Sequence, residues 1–133
     1  MNTRRTIIAT LTLALVALAV ACGATDSGPN SPSGVSKRFI EAARSKDVNT
    51  FKSLLSKASL ASIEKDAKEA GMTADAMIKR VLEQDLFKTS GEIEIRNEKI
   101  AGDKATVEIK DDKGKWSENE LVKEDGNWRV SIV

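Results

Sequence analysis

The fold is decided by residues 92–132, which read EIEIRNEKIAGDKATVEIKDDKGKWSENELVKEDGNWRVSI. Apolar and polar side chains alternate in this stretch with a period of two, as they do in strands of a sheet that is covered on one face. Turn-forming residues interrupt the alternation at 102–103, 112–114 and 125–126. The stretch therefore predicts four antiparallel strands joined as a meander. The alternating apolar positions are Ile93, Ile95, Ala105, Val107, Ile109, Trp128, Val130 and Ile132.

The pairing of the first two strands depends on a short turn. A two-residue loop at 102–103 pairs Ile100 with Ala105. That register puts Ile95 on the wrong face unless a β-bulge lies between Ile95 and Ile100, because a shift of one residue moves every side chain to the other face.

The last hairpin has two registers open to it. A three-residue turn pairs Val122 with Trp128 and turns Trp116 inward. A two-residue turn at 125–126 pairs Leu121 with Val130 instead. We favour the three-residue turn because it buries a tryptophan.

Upstream of residue 90 the apolar spacing is helical. Val35, Phe39 and Ala43 recur every four residues, which predicts a first helix with one buried stripe. Three more helices follow, and the third of the four ends at a glycine, Gly71, in the position that favours a left-handed residue. The predicted N-caps are Asp47 for the second helix, Ser59 for the third and Thr73 for the fourth, which continues to Leu86.

The first 34 residues differ in composition from the rest of the chain. Arg4 and Arg5 precede sixteen uncharged residues, and a basic region followed by a short apolar segment is typical of a cleaved secretory signal peptide. Residues 23–34 read GATDSGPNSPSG and contain no large apolar side chain, which predicts disorder. We therefore expect a signal peptide at 1–21, a tether at 22–34 and one globular domain at 35–133.

The end of the apolar segment, Leu18-Ala19-Val20-Ala21-Cys22, resembles the lipobox of bacterial lipoproteins. The resemblance implies cleavage between Ala21 and Cys22 and attachment of diacylglycerol, with palmitate-type chains, to the Cys22 thiol. It also implies a protein of the bacterial cell envelope, held by lipid on the extracytoplasmic side of a membrane. Ala19-Val20-Ala21 fits an ordinary signal peptidase as well. The alternative is then a secreted protein.

Composition excludes several classes of function. The 133 residues carry 21 Lys+Arg against 20 Asp+Glu, without the basic excess of a nucleic-acid binder. A single cysteine allows no internal disulfide, and the absence of histidine removes the commonest metal ligand and general base. We expect no metal, no cofactor and no nucleic-acid partner. The residues left for catalysis are Asp, Glu, Lys, Arg, Ser and Thr.

The order of these elements resembles a known superfamily. The segment from Val35 to Asp47, with Phe51 and 54–56, is similar to the opening of nuclear-transport-factor-2-like proteins, and 121–130 is similar to their last hairpin, with its Gly-x-Trp-x-Val strand. The closest resemblance is to the bacterial lipoproteins of domain-of-unknown-function 4878. It implies an α+β fold in which N-terminal helices pack on a curved four-stranded antiparallel sheet, a cystatin-like cone with a pocket at its open end.

The candidate pocket-lining residues follow from the favoured register. Trp116 and Trp128 would face the interior, and Glu118 and Glu120 share the parity of Trp116. If the third strand is splayed, or if Leu121 sets its parity, both glutamates lie in water instead. We favour this exposed placement of the glutamates because Glu is almost never fully buried without a partner.

No catalytic residue transfers from the superfamily to this chain by position. We therefore expect a non-catalytic module that binds an envelope protein or a small hydrophobic ligand. The alternative is a cone-pocket enzyme of the isomerase or dehydratase type, which needs a pocket of a few hundred cubic ångströms with a polar group at its base. A homodimer through the open sheet face would show an exposed apolar patch on the strands.

Overall fold

The computed structural model describes residues 28–84 and 91–133. The expected signal peptide, Cys22, residues 23–27 of the expected tether and Leu86 lie outside the described residues. Four helices precede a four-stranded antiparallel sheet in the order β1-β2-β3-β4, as the alternation predicts. The elements are α1 Pro32–Arg44, α2 Val48–Leu54, α3 Lys57–Glu69, α4 Ala74–Glu83, β1 Ile95–Ala101, β2 Lys104–Lys110, β3 Trp116–Glu124 and β4 Asn127–Ser131.

The first helix begins inside the segment that composition predicts to be a tether. Ser31 is the N-cap, its hydroxyl accepts a hydrogen bond from the Gly34 N–H at 3.0 Å, and Pro32 occupies the first helical position. Serine followed by proline is a strong helix-start signal. The serine hydroxyl accepts a hydrogen bond from a backbone N–H of the first turn that has no partner within the helix, and proline has no backbone N–H that would need a partner. The tether boundary at residue 34 is therefore wrong, and the folded domain reaches back to this cap.

The other helix boundaries follow local chemistry. Asp47 and Thr73 are the N-caps predicted for α2 and α4. Ser56, rather than the predicted Ser59, caps α3 by accepting from the Ser59 N–H at 3.2 Å. Ser59 instead accepts from the backbone N–H of Ile132 at 2.9 Å, so it joins α3 to the end of the sheet. Gly71 has φ +69°, as predicted for a residue that ends a helix.

The first hairpin has the predicted register. Ile100 pairs with Ala105, Ile95 pairs with Ile109, and the ladder shifts between Arg96 and Lys99. The predicted bulge is therefore confirmed, and it keeps both isoleucines at its two ends on the inner face.

The favoured register of the last hairpin is wrong. Leu121 pairs with Val130, and Glu124 pairs with Asn127 around a two-residue turn. Asp125 and Gly126 have φ +50° and +80°, the positive values that a type I′ turn requires at both central positions. The turn chemistry of Asp-Gly therefore outweighs the burial of Trp116.

Helices cover the inner face of the sheet. Side chains of α1, α2 and α4 form one core with a row of strand residues that are almost completely buried. The edge of β4 is closed as well, because Leu55 bridges Val130 and the Ser56 N–H donates to the Val130 carbonyl at 2.9 Å. None of the helices in the described residues has the length and apolar character of a membrane span. The core contains Val35, Phe39, Phe51, Leu54, Leu55, Ile78, Leu82, Val107, Leu121, Trp128 and Val130.

Candidate functional site

The structure does not bring the four predicted pocket residues together. Trp128 lies on the inner face and is 7% exposed, as part of the core. Trp116 lies on the outer face, where the Arg96 guanidinium stacks on its ring at 3.9 Å from the centroid. Glu118 and Glu120 are exposed, on the same face of β3 as Trp116. Trp128 faces the interior as predicted, whereas the changed register explains the outward placement of the three β3 residues, because one shift reverses the direction of every side chain of the strand.

A pocket of about 180 Å³ lies between the C-terminal half of α1 and the ends of the strands. Phe39 and Ile40 form its buried wall on α1, and half-buried Ile93 and Ile109 face them from the chain before β1 and from β2. Polar side chains complete the lining, and the exposed ones mark the mouth of the pocket. These polar residues are Arg44, Lys110, Asp111, Ser117, Glu118 and Asn119.

Two cationic side chains hold the segment that carries Ile93. Arg44, at the end of α1, donates from Nη1 to the Gly91 carbonyl at 2.8 Å. Lys110 donates from Nζ to Glu94 Oε1 at 2.9 Å, and its backbone N–H donates to the Glu94 carbonyl at 3.1 Å. The segment 91–94 is thus tied to a helix at one end and to β2 at the other. Its isoleucine is positioned as one side of the pocket.

Charge at the pocket is balanced across the mouth. The charge of the Lys110 ammonium is partly balanced by its ion pair with Glu94, and both side chains are more than a third exposed to solvent. Asp111 accepts from the backbone N–H groups of Lys113 and Lys115, which makes it the centre of the β2–β3 turn. The polar residues therefore shape the rim, while the apolar residues form the interior.

The outer face of the sheet is polar. Glu108 accepts from Arg96 Nε and Asn97 Nδ2, both at 2.7 Å, and these hydrogen bonds hold the pKa of the Glu108 carboxyl below its ordinary value. Arg96 joins this ion pair to Trp116. In the described part of the sheet, this face lacks the exposed apolar patch that a dimer through the strands would show.

No group of acidic or cysteine side chains in residues 28–84 and 91–133 is arranged to hold a metal ion. The pocket itself was missed by sequence reasoning because it depends on the relation between α1 and a segment outside the strands. One signal was present. Ile93 belongs to the same alternation as Ile95 and Ile109, so it had to reach the inner face at the end of the sheet.

Fold and pocket together define a small α+β module of the NTF2-like class, with helices on one face of an open antiparallel sheet. A crystal structure at 2.00 Å resolution of a protein from Campylobacter jejuni, which carries the provisional name NTF2-like transpeptidase, superimposes with a TM-score of 0.56. The two share 19% identity over 77% of this chain and 98% of the other, a likeness that concerns the fold. The family model named Domain of unknown function (DUF4878) matches residues 20–131, and the chain belongs to that family. No curated protein matches the chain significantly.

Proposed function

We propose that this protein is a lipid-anchored, non-catalytic module of the bacterial cell envelope that binds a small apolar group in the pocket beside α1. The observation that carries the binding role is the pocket lining. Phe39 and Ile40 offer buried apolar surface that the sheet does not cover, inside a polar rim. Such an arrangement is typical of a site that takes an apolar group and orients it by polar contacts at the mouth.

The size and chemistry of the pocket favour binding over catalysis. A volume of about 180 Å³ is smaller than the few hundred cubic ångströms of most small-molecule sites, so it fits a side chain or a compact ligand. Its buried members are hydrocarbon, whereas an enzyme needs a polar group at the reacting end. The polar residues at the mouth, such as Ser117 and Glu118, are exposed instead.

The name of the Campylobacter jejuni structure gives no reason to assign acyl transfer to this chain. Transpeptidation uses an activated nucleophile with a base within hydrogen-bond reach. This chain has no histidine, and its single cysteine is Cys22, far in sequence from the pocket. Ser117 is the hydroxyl at the pocket, and it is exposed to solvent.

Anchoring is tested by the intact mass of the protein extracted from membranes. We expect the chain to begin at Cys22 and to carry diacylglycerol, with or without a third acyl chain. A Cys22→Ser variant is the control, and it should keep its leader or appear as a soluble product. A wild-type chain of unmodified mass in the soluble fraction would refute the anchoring.

Binding is tested by photo-crosslinking in cells at two neighbouring positions of β3. A photoreactive phenylalanine at Asn119 lies at the pocket, whereas one at Glu120 lies on the opposite face of the same strand. We expect a discrete adduct from position 119 that position 120 does not give. An Ile40→Trp substitution, which fills the pocket, should abolish that adduct. Equal adducts from both positions would refute the pocket as the binding site.

A further inference from the structure

A second hollow of about 180 Å³ lies beside the N-terminal half of α1, where the chain enters the domain. It is bounded by the start of α1, the end of α2 and the start of β4. Its lining differs from that of the pocket because most of its surface is polar. The polar side chains around it are Asn30, Arg38, Ser53, Asn127 and Arg129, and Trp128 forms one wall.

The lining of this hollow is cationic. Two arginines and two asparagines line it, and no carboxylate does. Arg38 is exposed, and within residues 28–84 and 91–133 its guanidinium has no hydrogen bond or ion pair. Arg129 donates from Nη1 to the Ser53 carbonyl at 2.6 Å, which fixes the guanidinium and leaves its other N–H groups to donate elsewhere.

An acidic side chain in the turn before β4, Asp125, is paired with a lysine. The Asp125 carboxylate accepts from Lys57 Nζ at 2.8 Å, and this bond, with a smaller contribution from the charge of Arg129, keeps the pKa of Asp125 below its ordinary value. Lys57 therefore adds a positive charge that balances Asp125. Among the side chains that line the hollow, two are arginines and none is acidic.

The position of the hollow relative to Cys22 sets what can reach it. Asn30 follows Cys22 by eight residues, which span at most about 28 Å even when fully extended. A chain held by lipid at Cys22 thus keeps this end of the domain within reach of the membrane surface.

We infer that the hollow binds a phosphate oxyanion, and that the source of this oxyanion is the headgroup of an anionic phospholipid in the membrane that holds Cys22. The inference rests on the lipid anchoring proposed above. Guanidinium groups suit phosphate because their N–H groups form a planar fork that matches two phosphate oxygens. The amides of Asn30 and Asn127 supply further donors at the same hollow.

The hollow has its own fluorescent reporter. The chain contains two tryptophans, so Trp116→Phe leaves Trp128, in the wall of the hollow, as the remaining indole. We expect the emission of Trp128 in the full mature chain to change saturably when glycerol phosphate is added. Arg38→Gln and Arg129→Gln should each weaken this binding about fivefold, the effect of one basic residue at an anionic surface. Arg80→Gln on α4 removes the same charge from an exposed site elsewhere and should leave binding unchanged. Thermal unfolding of each variant checks that it is folded.

The source of the phosphate is tested with the mature chain, residues 22–133, carrying Cys22→Ser, so that neither the basic, apolar leader nor an acyl chain contributes. We expect it to cosediment with phosphatidylglycerol vesicles and not with phosphatidylcholine vesicles, and the binding to weaken in high salt and in Arg38→Gln. Response to inorganic phosphate without vesicle binding would overturn the membrane as the source. No response to glycerol phosphate, inorganic phosphate or vesicles would overturn the site. Vesicle binding by a chain whose native Cys22 proves unmodified would support the hollow while refuting the anchor, so the two failures are distinguishable.

Discussion

Glu98 reaches from the bulge of β1 to the first turn of α1, and its removal tests how the sheet and the first helix are joined. Its Oε2 accepts from the backbone N–H of Ser33 at 2.8 Å and from the Ser33 hydroxyl. Ser33 lies in the first turn of α1, where backbone N–H groups have no partner within the helix and where the helix dipole favours a negative charge. The carboxylate thus caps the helix from 65 residues away in sequence.

The expected cost of Glu98→Ala follows from these contacts. Hydrogen bonds to a charged group contribute about 1.5–3 kcal/mol when they are partly shielded from water. The contribution here lies at the lower end, because Glu98 Oε1 is buried and accepts no hydrogen bond among the described residues, which offsets part of the gain. We expect Glu98→Ala to lower the free energy of unfolding by about 2 kcal/mol, or the melting temperature by about 8–16 °C for a domain of this size. Ser33→Ala keeps the bond to the backbone N–H and should cost about 1 kcal/mol.

Urea unfolding of the two single variants and the double variant measures the coupling. If the contact is as described, the double variant should be less destabilised than the sum of the single variants by about 1 kcal/mol. Glu120→Ala, an exposed carboxylate of the same sheet, is the control and should change stability by less than about 0.5 kcal/mol. Additive effects of Glu98→Ala and Ser33→Ala, or a cost for Glu98→Ala no larger than that of the control, would refute the reasoning.

Three further outcomes test other parts of the fold. Leu121→Ala should cost about 3 kcal/mol because Leu121 is 1% exposed, whereas Val122→Ala on the opposite face should cost under about 1 kcal/mol; the reverse order in urea unfolding would favour the other hairpin register. Lys46→Gly should raise the melting temperature, because Lys46 follows the C-cap of α1 with φ +58°, a backbone conformation in which glycine is favoured by about 0.5–1 kcal/mol. A lower melting temperature would show that the lysine side chain matters more. Asp47 has a pKa below its ordinary value of 3.8, chiefly because the Thr50 hydroxyl donates to it, so its stabilisation is present above that pH and is lost as the pH falls. The difference in melting temperature between the wild type and Asp47→Asn should therefore shrink from pH 5 to pH 2, and a constant difference would contradict the charge effect.

The hairpins show where sequence reasoning succeeds and where it fails. The first register could be predicted, because Ile95, Ile100 and Ile109 had to share one face and only a bulge allows it. The last register failed because burial of a tryptophan was weighed above the turn. Trp116 loses little on the outer face, since the Arg96 guanidinium covers its ring at 3.9 Å, while Asp125 and Gly126 adopt the backbone angles of a two-residue turn without strain.

The apolar pocket and the cationic hollow could not be predicted for a different reason. Each combines one half of α1 with chain segments distant in sequence, such as 91–94 for the pocket and the end of α2 for the cationic hollow. The periodicity of the sequence predicts which face of a strand or helix a side chain lies on, but it does not predict which part of α1 a strand or loop residue packs against. Of the four residues predicted from parity, Glu118 therefore lies at the pocket and Trp128 at the cationic hollow, while Trp116 and Glu120 lie at neither.

The two proposed binding sites lie beside different halves of α1. The helix spans about 20 Å, with Val35 and Arg38 in its first half at the cationic hollow and Phe39, Ile40 and Arg44 in its second half at the apolar pocket. A lipid at Cys22 would hold the first of these halves near the bilayer, because few residues lie between them. The pocket would then open on the side of the domain away from the lipid, where its occupant must come from the envelope rather than from the acyl chains. The vesicle and crosslinking experiments can therefore succeed or fail independently, and an adduct at Asn119 that consisted of membrane lipid would contradict this arrangement.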